Sequence, residues 1–200
     1  MIDKVGLLSA AYTRLGQQPV SSFDNDTDEG RAAVANYSLI KRAALSQHQW
    51  RFALRWHSVD ALAGLGSALT DEYDFAFAIP QTVVFVVGLR DDADFDIYHN
   101  ELYANNNPAV ILSVDDVGEE NFPPWFADAL ATQLSLELCY AVTQDLTLRD
   151  LLRDEARRKW FMARGRDMQS ALPPSMTAAL HRAISRDTMA RHGNATGLTV

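Results

Sequence analysis

Four stretches of the chain repeat apolar residues at steps of three and four positions, which is the spacing of an amphipathic α-helix. The stretches cover about 2–16, 27–49, 123–143 and 147–170. In the third stretch, small residues lie beside the apolar stripe and allow close approach to another helix. The sequence therefore predicts a bundle of about four helices. The stripe of the third stretch consists of Phe126, Leu130, Leu134, Leu138 and Val142.

Residues that favour helix ends accompany these stretches. Asp3 is placed to cap the first helix, and Asp26 with Glu29 forms a capping-box pattern before the second. Thr147 with Asp150 forms a variant of the same pattern before the fourth. We therefore predict that each of these three helices begins at the residue pair or cap named here.

At the end of the second stretch, the helical period gives way to a two-residue period. Trp50, Phe52, Leu54 and Trp56 alternate with polar or small residues, as in a half-buried strand. We interpret this segment as a hinge strand that joins the helices to a sheet. Its four large side chains would share one face and fix the angle of the junction, so we assign them a structural role.

Alternation and turn residues fill the middle third of the chain, about 50–118. Gly-rich and Asn-rich segments separate the alternating runs, and the run at 82–89 is apolar enough to predict a deeply buried strand. The predicted fold class is α+β, a helical bundle with one small inserted antiparallel sheet. Beyond the hinge, strands are predicted near 73–78, 82–89, 97–101, 101–104 and 110–114.

The fourth helical stretch is broken by Leu172-Pro-Pro-Ser. The residues beyond the break have no evident place in the core of the bundle. We predict one domain over 1–171 and an extended C-terminal arm over 172–200 that binds a partner. The apolar and basic positions of the arm are Met176, Leu180, Arg182, Ile184 and Arg186.

Length and composition predict one globular unit, because 200 residues with 48% hydrophobic content can bury a substantial core. The longest apolar runs fall well short of the roughly 20 residues that cross a bilayer. The first residues lack a cationic region followed by a long apolar block, so we expect no secretory signal. These features predict a soluble protein that is made in a cytosol and does not bind membrane.

Charge is distributed unevenly along the chain. The net charge is -8, and residues 172–200 contain three arginines and one aspartate. The body, 1–171, is therefore more acidic than the whole chain. We do not expect a sequence-reading DNA binder, since phosphate contacts need clustered lysine and arginine. An acidic surface remains compatible with DNA that slides past without binding.

Two acidic clusters lie in the predicted β-insertion. The aspartates of 91–96 alternate as in a calcium loop, but the positions of the turn glycine and the bidentate glutamate hold Ile97 and Tyr103. The cluster at 115–120 contains neighbouring acids around a glycine. We predict a solvated turn at each cluster.

Common catalytic and metal-binding motifs are missing from the sequence. The five histidines do not stand at metal-ligand spacing, and the single cysteine, Cys139, lies on the apolar side of a predicted helix. We therefore expect no catalytic residue, no cofactor and no metal. His57 is expected on the polar face of the hinge strand.

A basic run at 157–159 lies late in the fourth helix and is followed by Trp160 and Phe161. The run can bind phosphate, but acids one turn earlier favour ion pairs within the chain. The two aromatic residues are expected to anchor the core or an interface. The expected partners of the basic run are Asp150, Asp154 and Glu155.

Five packing segments follow one another along residues 1–171. They are Leu15-Gly-Gln-Gln-Pro19, Gln49-Trp50-Arg51-Phe52-Ala53, Ile79-Pro80, Leu102-Tyr103 with Val110-Ile-Leu112, and Phe122-Pro-Pro-Trp-Phe126. In this order and spacing, they resemble the tail tubular protein A family, the head-to-tail adaptor or connector proteins of bacteriophages. Residues 172–200 follow no pattern of that family.

The resemblance implies a non-enzymatic virion protein made in the host cytoplasm. Its subunits would form a homo-oligomeric ring, usually twelvefold, between the portal protein and the tail nozzle protein, with double-stranded DNA passing through the lumen. The arm would bind the portal. Contacts to other subunits or to the tail are assigned to Arg157, Arg158, Trp160, Asp94, Asp96, Asp115 and Glu119.

Two alternative functions remain open at this point. One is a cell-wall hydrolase of the virion that uses a pair of carboxylates. The other is a cytosolic binding module built on the helical bundle, which would form neither rings nor virions. The candidate carboxylates of the hydrolase are Glu101, Asp115, Glu119 and Glu120.

Overall fold

The computed structural model describes residues 2–19, 28–63 and 72–170, and the predicted four helices lie within these ranges. The chain divides into two units, 1–164 and 165–200, so the boundary falls inside the last helix. The helices are α1 (Lys4–Arg14), α2 (Asp28–Ser46), α3 (Pro124–Thr143) and α4 (Leu146–Gln169).

Several predictions concern residues outside the described ranges. Asp26 of the predicted capping box lies there, and so does the predicted arm, 172–200. The arm positions concerned are Met176, Leu180, Arg182, Ile184 and Arg186.

The middle of the chain forms two antiparallel sheets of three strands each, which confirms the α+β class. The sheet orders are β1-β6-β3 and β2-β5-β4. The prediction of a single sheet is wrong, because the consecutive strands β5 and β6 join different sheets. The strands are β1 (Leu54–Val59), β2 (Phe75–Ala78), β3 (Val83–Leu89), β4 (Phe95–Tyr98), β5 (Glu101–Ala104) and β6 (Ala109–Asp115).

Strand β3 lies at an edge of its sheet, and its five central residues are only partly buried. The prediction of a deeply buried strand there is therefore wrong. A run of apolar residues does not distinguish a central strand from an edge strand whose faces are both partly covered.

A tight turn at His99 and Asn100 joins β4 to β5. Both residues have positive φ angles, 49° and 64°, and Tyr98 pairs with Glu101 across the turn. Two successive positive φ angles match the twist of paired strands, which is why such turns close hairpins. The turn therefore fixes the register of the β4–β5 hairpin.

The hinge segment differs from the predicted strand. Arg51–Ala53 forms a turn of 3₁₀ helix, and the strand begins only at Leu54. Because this turn rotates the chain, Trp50 is fully buried whereas Trp56 is 54% exposed and lies 5.6 Å from the Arg90 guanidinium. The predicted single face of four large side chains is therefore wrong.

Trp50 lies at the centre of the main core. Its ring is 5.9 Å from Trp125, 5.1 Å from Phe126 and 5.8 Å from Trp160, and its Nε1 donates a hydrogen bond of 2.9 Å to the carbonyl of Ala44. The same core includes the apolar stripe of α3 and Cys139, as predicted. A second apolar cluster lies between the sheets and is formed by Phe77, Leu89, Leu102, Ala104, Ala109 and Ile111.

Two helix caps can be compared with the sequence. The Asp3 carboxylate accepts a hydrogen bond of 2.7 Å from the amide of Gly6, which confirms the predicted cap of α1. At α4 the cap is Asp145, whose Oδ1 accepts from the amides of Thr147 and Leu148. The predicted Thr147 cap is therefore wrong by two positions.

Within the described residues, none of the helices has an apolar stretch that could span a bilayer.

Candidate functional site

The outer face of α4 carries large apolar side chains that the rest of the described unit does not cover. Phe161 is 79% exposed, and Met162 next to it is also exposed. Single exposed apolar residues are common, but a group of them on one helix is typical of a contact surface. Two more such residues, Leu146 and Leu151, lie towards the start of the helix.

Phe161 stands between two shallow grooves. One groove, of about 460 Å³, lies between α4 and α3 and is lined by Gln47, Leu136 and Arg164 as well as Phe161. The other, of about 630 Å³, lies on the opposite side of Phe161 and includes Met162. An aromatic ridge between two grooves offers a shape that a protruding segment of another chain can straddle.

Three of the seven cations of α4 form ion pairs with described residues. Arg157 lies 3.8 Å from Asp154, and Lys159 lies 2.9 Å from both Glu155 and Asp128. These contacts confirm the predicted pairs with Asp154 and Glu155. The predicted pair with Asp150 is wrong, because that carboxylate binds Arg153 at 2.8 Å.

Two exposed cations near Phe161 are not neutralised by a described carboxylate. Arg164 donates a hydrogen bond of 3.1 Å to the neutral amide oxygen of Gln47, and Arg158 forms no ion pair with any described residue. The end of the α4 surface is therefore basic as well as apolar. Arg157 and Arg158, which the sequence analysis assigned to subunit or tail contacts, are both exposed.

Trp160, the third predicted contact on α4, is placed differently. It is 6% exposed, and its Nε1 donates a hydrogen bond of 3.2 Å to the side chain of Gln133. Because successive helix residues are rotated by about 100°, Trp160 faces the core whereas Phe161 faces outward. The assignment of Trp160 to a subunit contact is therefore wrong, and Phe161 is the exposed aromatic residue of this segment.

The β4–β5 hairpin and the residue before it carry two of the four acidic contacts assigned from the sequence. Asp94 and Asp96 are exposed, as predicted for the acidic turn. Ile97 and Tyr98, which follow them, are 46% and 48% exposed. The hydroxyl of Tyr73 donates a hydrogen bond of 3.1 Å to Asp96, and burial followed by this bond raises the pKa of Tyr73. The hairpin therefore presents acidic and apolar side chains together.

Asp115 is buried, so its assignment to a solvated turn and an outer contact is wrong. Its carboxylate accepts hydrogen bonds from Thr82 at 3.1 Å and from Ser113 at 2.5 Å, and it lies 2.9 Å from Nε2 of His57. His57 and Ser113 both contact Asp115 instead of each other. The cluster therefore lacks the serine–histidine contact of a nucleophile relay and instead ties β1 and β6 to the turn before β3.

Glu119 is also buried and is not the solvated contact predicted. Its Oε1 accepts a hydrogen bond of 3.0 Å from the Tyr37 hydroxyl and lies 3.2 Å from Nζ of Lys41. Lys41 is also 2.8 Å from Asp116, in a second ion pair. Burial, followed by the charge of Glu119, raises the pKa of Tyr37 far above its ordinary value. This network fixes α2 to the segment that precedes α3.

The two remaining hydrolase candidates also have partners in the chain. Glu101 accepts a hydrogen bond of 2.8 Å from the Tyr103 hydroxyl, which together with burial raises the pKa of Tyr103. Glu120 accepts from the side-chain amide of Asn121 at 3.1 Å. Among the described residues, no three acids, histidines or cysteines stand close enough to bind a metal ion.

The sequence has no match among protein-family models or among curated proteins.

Proposed function

We propose that this protein is a structural head-to-tail adaptor of a bacteriophage virion. Its copies form a ring between the portal and the tail nozzle, and double-stranded DNA passes through the lumen. The observation that carries the proposal is the exposed apolar and basic face of α4 around Phe161. A protein of this size that leaves such a face uncovered is suited to assembly with other chains.

The contacts between the resembling segments support the same proposal. The segment that ends α2 and the segment that opens α3 lie far apart in sequence, yet Trp50 and Phe52 pack against Trp125 and Phe126. Two of the segments that define the resemblance thus form one aromatic core. Short segments that match a family only by chance have no reason to contact each other in the folded chain.

Charge also suits a DNA conduit. The chain has a net charge of -8, which disfavours tight binding of the phosphate backbone. A channel that DNA must traverse quickly benefits from walls that do not retain it.

The test is electron microscopy of the full chain mixed with the portal protein of the same genome. We expect rings stacked on one end of the portal. Single soluble copies that clear peptidoglycan would contradict the adaptor and favour a hydrolase. Single copies without either property would favour a binding module.

A truncated chain that ends at residue 171 tests the role assigned to the arm. We expect it to unfold at the same temperature as the full chain but not to dock on the portal. Normal docking by the truncated chain would contradict the portal-binding role of the arm while leaving the ring itself untouched.

A further inference from the structure

We propose that the β4–β5 hairpin of one copy docks against Phe161 on α4 of the next copy. The pairing rests on the proposed function, because it specifies the contact between neighbouring subunits of the ring. It also stands on its own as a prediction about self-association, since both surfaces belong to this chain.

The α4 side of the contact is basic and apolar. Residues 156–164 contain four cations and no acid, and Phe161 and Met162 are exposed among them. Arg158 has no carboxylate partner in the described residues, and the partner of Arg164 is the neutral side chain of Gln47. This end of α4 therefore has uncompensated positive charge around an aromatic ridge.

The hairpin side has the opposite charge and the same apolar character. Residues 91–103 contain five acids and neither lysine nor arginine. Ile97 and Tyr98 are exposed at its end, and Asp94 forms no ion pair with a described residue. In the described sheet, β4 is an outer strand, so its free edge adds unpaired backbone groups to this surface.

Charge decides which surfaces pair. Two α4 faces would bring cations together, and two hairpins would bring acids together, so a symmetric contact of either surface with itself is unfavourable. The contact of α4 with a hairpin brings opposite charges together and joins two different surfaces. Such a head-to-tail contact repeats from copy to copy and closes a ring when the rotation between copies allows it.

A second protein surface suits the α4 face better than nucleic acid does. Phosphate contacts need cations alone, whereas here Phe161 forms a ridge between two grooves. Aromatic and arginine side chains together are the residue types that contribute most to protein interfaces. Binding of duplex DNA to this face is therefore an alternative that the experiment below distinguishes.

A charge swap tests the pairing. The variants Arg158→Glu and Asp94→Arg each place like charges opposite one another, and the double variant restores opposite charges. Association of the full chain is measured by sedimentation velocity over a concentration series at low ionic strength. We expect each single variant to weaken association at least about tenfold and the double variant to recover most of the loss.

Arg149→Glu is the matched control. It reverses the same charge on the same helix, but nine residues away, which is about 14 Å along the axis and on the opposite side of the helix. We expect it to associate like the wild-type chain, and we expect all four variants to keep the wild-type melting temperature.

Three results of the sedimentation experiment would overturn the pairing. They are a wild-type chain that stays monomeric over the whole series, single variants that associate like wild type, and a double variant as weak as the singles. Retention of duplex DNA that Arg158→Glu abolishes, with unchanged association, would overturn it in favour of nucleic-acid binding.

Imaging with the portal separates this proposal from the proposed function. Rings on the portal that both single variants still form would leave the adaptor role intact and disprove the pairing. A successful charge swap without any binding to the portal would support the pairing and disprove the adaptor role.

Discussion

The core around Trp50 and the outer face of α4 are both rich in aromatic side chains, but only the first is covered by the chain itself. Trp160 belongs to the core and lies 5.8 Å from Trp50, whereas the next residue, Phe161, is 79% exposed. One residue step turns a helix side chain by about 100°, so adjacent aromatic residues can have opposite tasks. Position on the helix, and not residue type, separates the buried side chain from the exposed one here.

The largest effect should come from the centre of the core. Trp50→Ala removes a fully buried ring that contacts five other aromatic rings. We expect a loss of about 4 kcal/mol in the free energy of unfolding, measured by urea denaturation. Trp56→Ala is the control, because that ring is 54% exposed, and it should cost less than about 1 kcal/mol. Equal losses in the free energy of unfolding for the two variants would contradict the placement of Trp50 in the core and of Trp56 at the surface.

The second-largest effect on stability should come from Lys41, and it tests whether the core depends on charge as well as on aromatic packing. Lys41→Met removes the cation that lies 3.2 Å from the buried Glu119 and 2.8 Å from Asp116. A buried carboxylate without its cation costs about 3 kcal/mol. Addition of Glu119→Gln to this variant should recover part of that loss in the same urea experiment. A Lys41→Met chain as stable as the wild type would show that the network is not structurally important.

Tyr37 links the same network to pH. Burial and the charge of Glu119 raise the pKa of Tyr37 above its ordinary value of 10.0. Above about pH 10 the unfolded chain therefore releases a proton that the folded chain keeps. The stabilisation is complete below that pH and should fall with rising pH by up to about 1.4 kcal/mol per pH unit.

The measurement is urea denaturation between pH 8 and 11. Above pH 10, the free energy of unfolding of Tyr37→Phe should fall less steeply with pH than that of the wild type. Part of the pH dependence should remain in the variant, because the pKa values of Tyr73 and Tyr103 are also raised. The same slope in both chains would rule out the Tyr37 contribution.

The smallest effect on stability should come from Phe161. Phe161→Ala removes a side chain that packs against little of its own unit, so we expect a change of less than about 0.5 kcal/mol in the free energy of unfolding. Self-association should nevertheless weaken, because an aromatic anchor is lost from the surface. A large loss of stability would place Phe161 in the core and contradict the comparison with Trp160.

The sequence predicted the elements whose side chains repeat with a clear period. The stripe of α3 is apolar at four-residue steps, and alternation located most strands to within a few residues. The hinge was predicted incorrectly because Trp50, Phe52 and Leu54 alternate in sequence while Arg51–Ala53 turns as a 3₁₀ helix. A short turn that interrupts an alternating pattern leaves no periodic signal.

The candidate site was predicted only in part. Arg157, Arg158, Asp94 and Asp96 are exposed as expected, since charged side chains in a helix end and a polar turn are usually solvated. Asp115 and Glu119 are buried because each pairs with a side chain, His57 and Lys41 respectively. These partners come from elements that are distant in sequence. Sequence spacing does not reveal partners of that kind. The division of the strands into two sheets was missed for the same reason.

The most direct test of the docking role of α4 compares two chains on the portal. Wild-type and Phe161→Ala proteins are mixed with the portal protein of the same genome, and the complexes are imaged by electron microscopy. We expect closed rings with the wild-type chain and few or none with Phe161→Ala, at an unchanged melting temperature. Closed rings with both chains would contradict the claim that this face joins the subunits, and closed rings with neither chain would contradict the adaptor role.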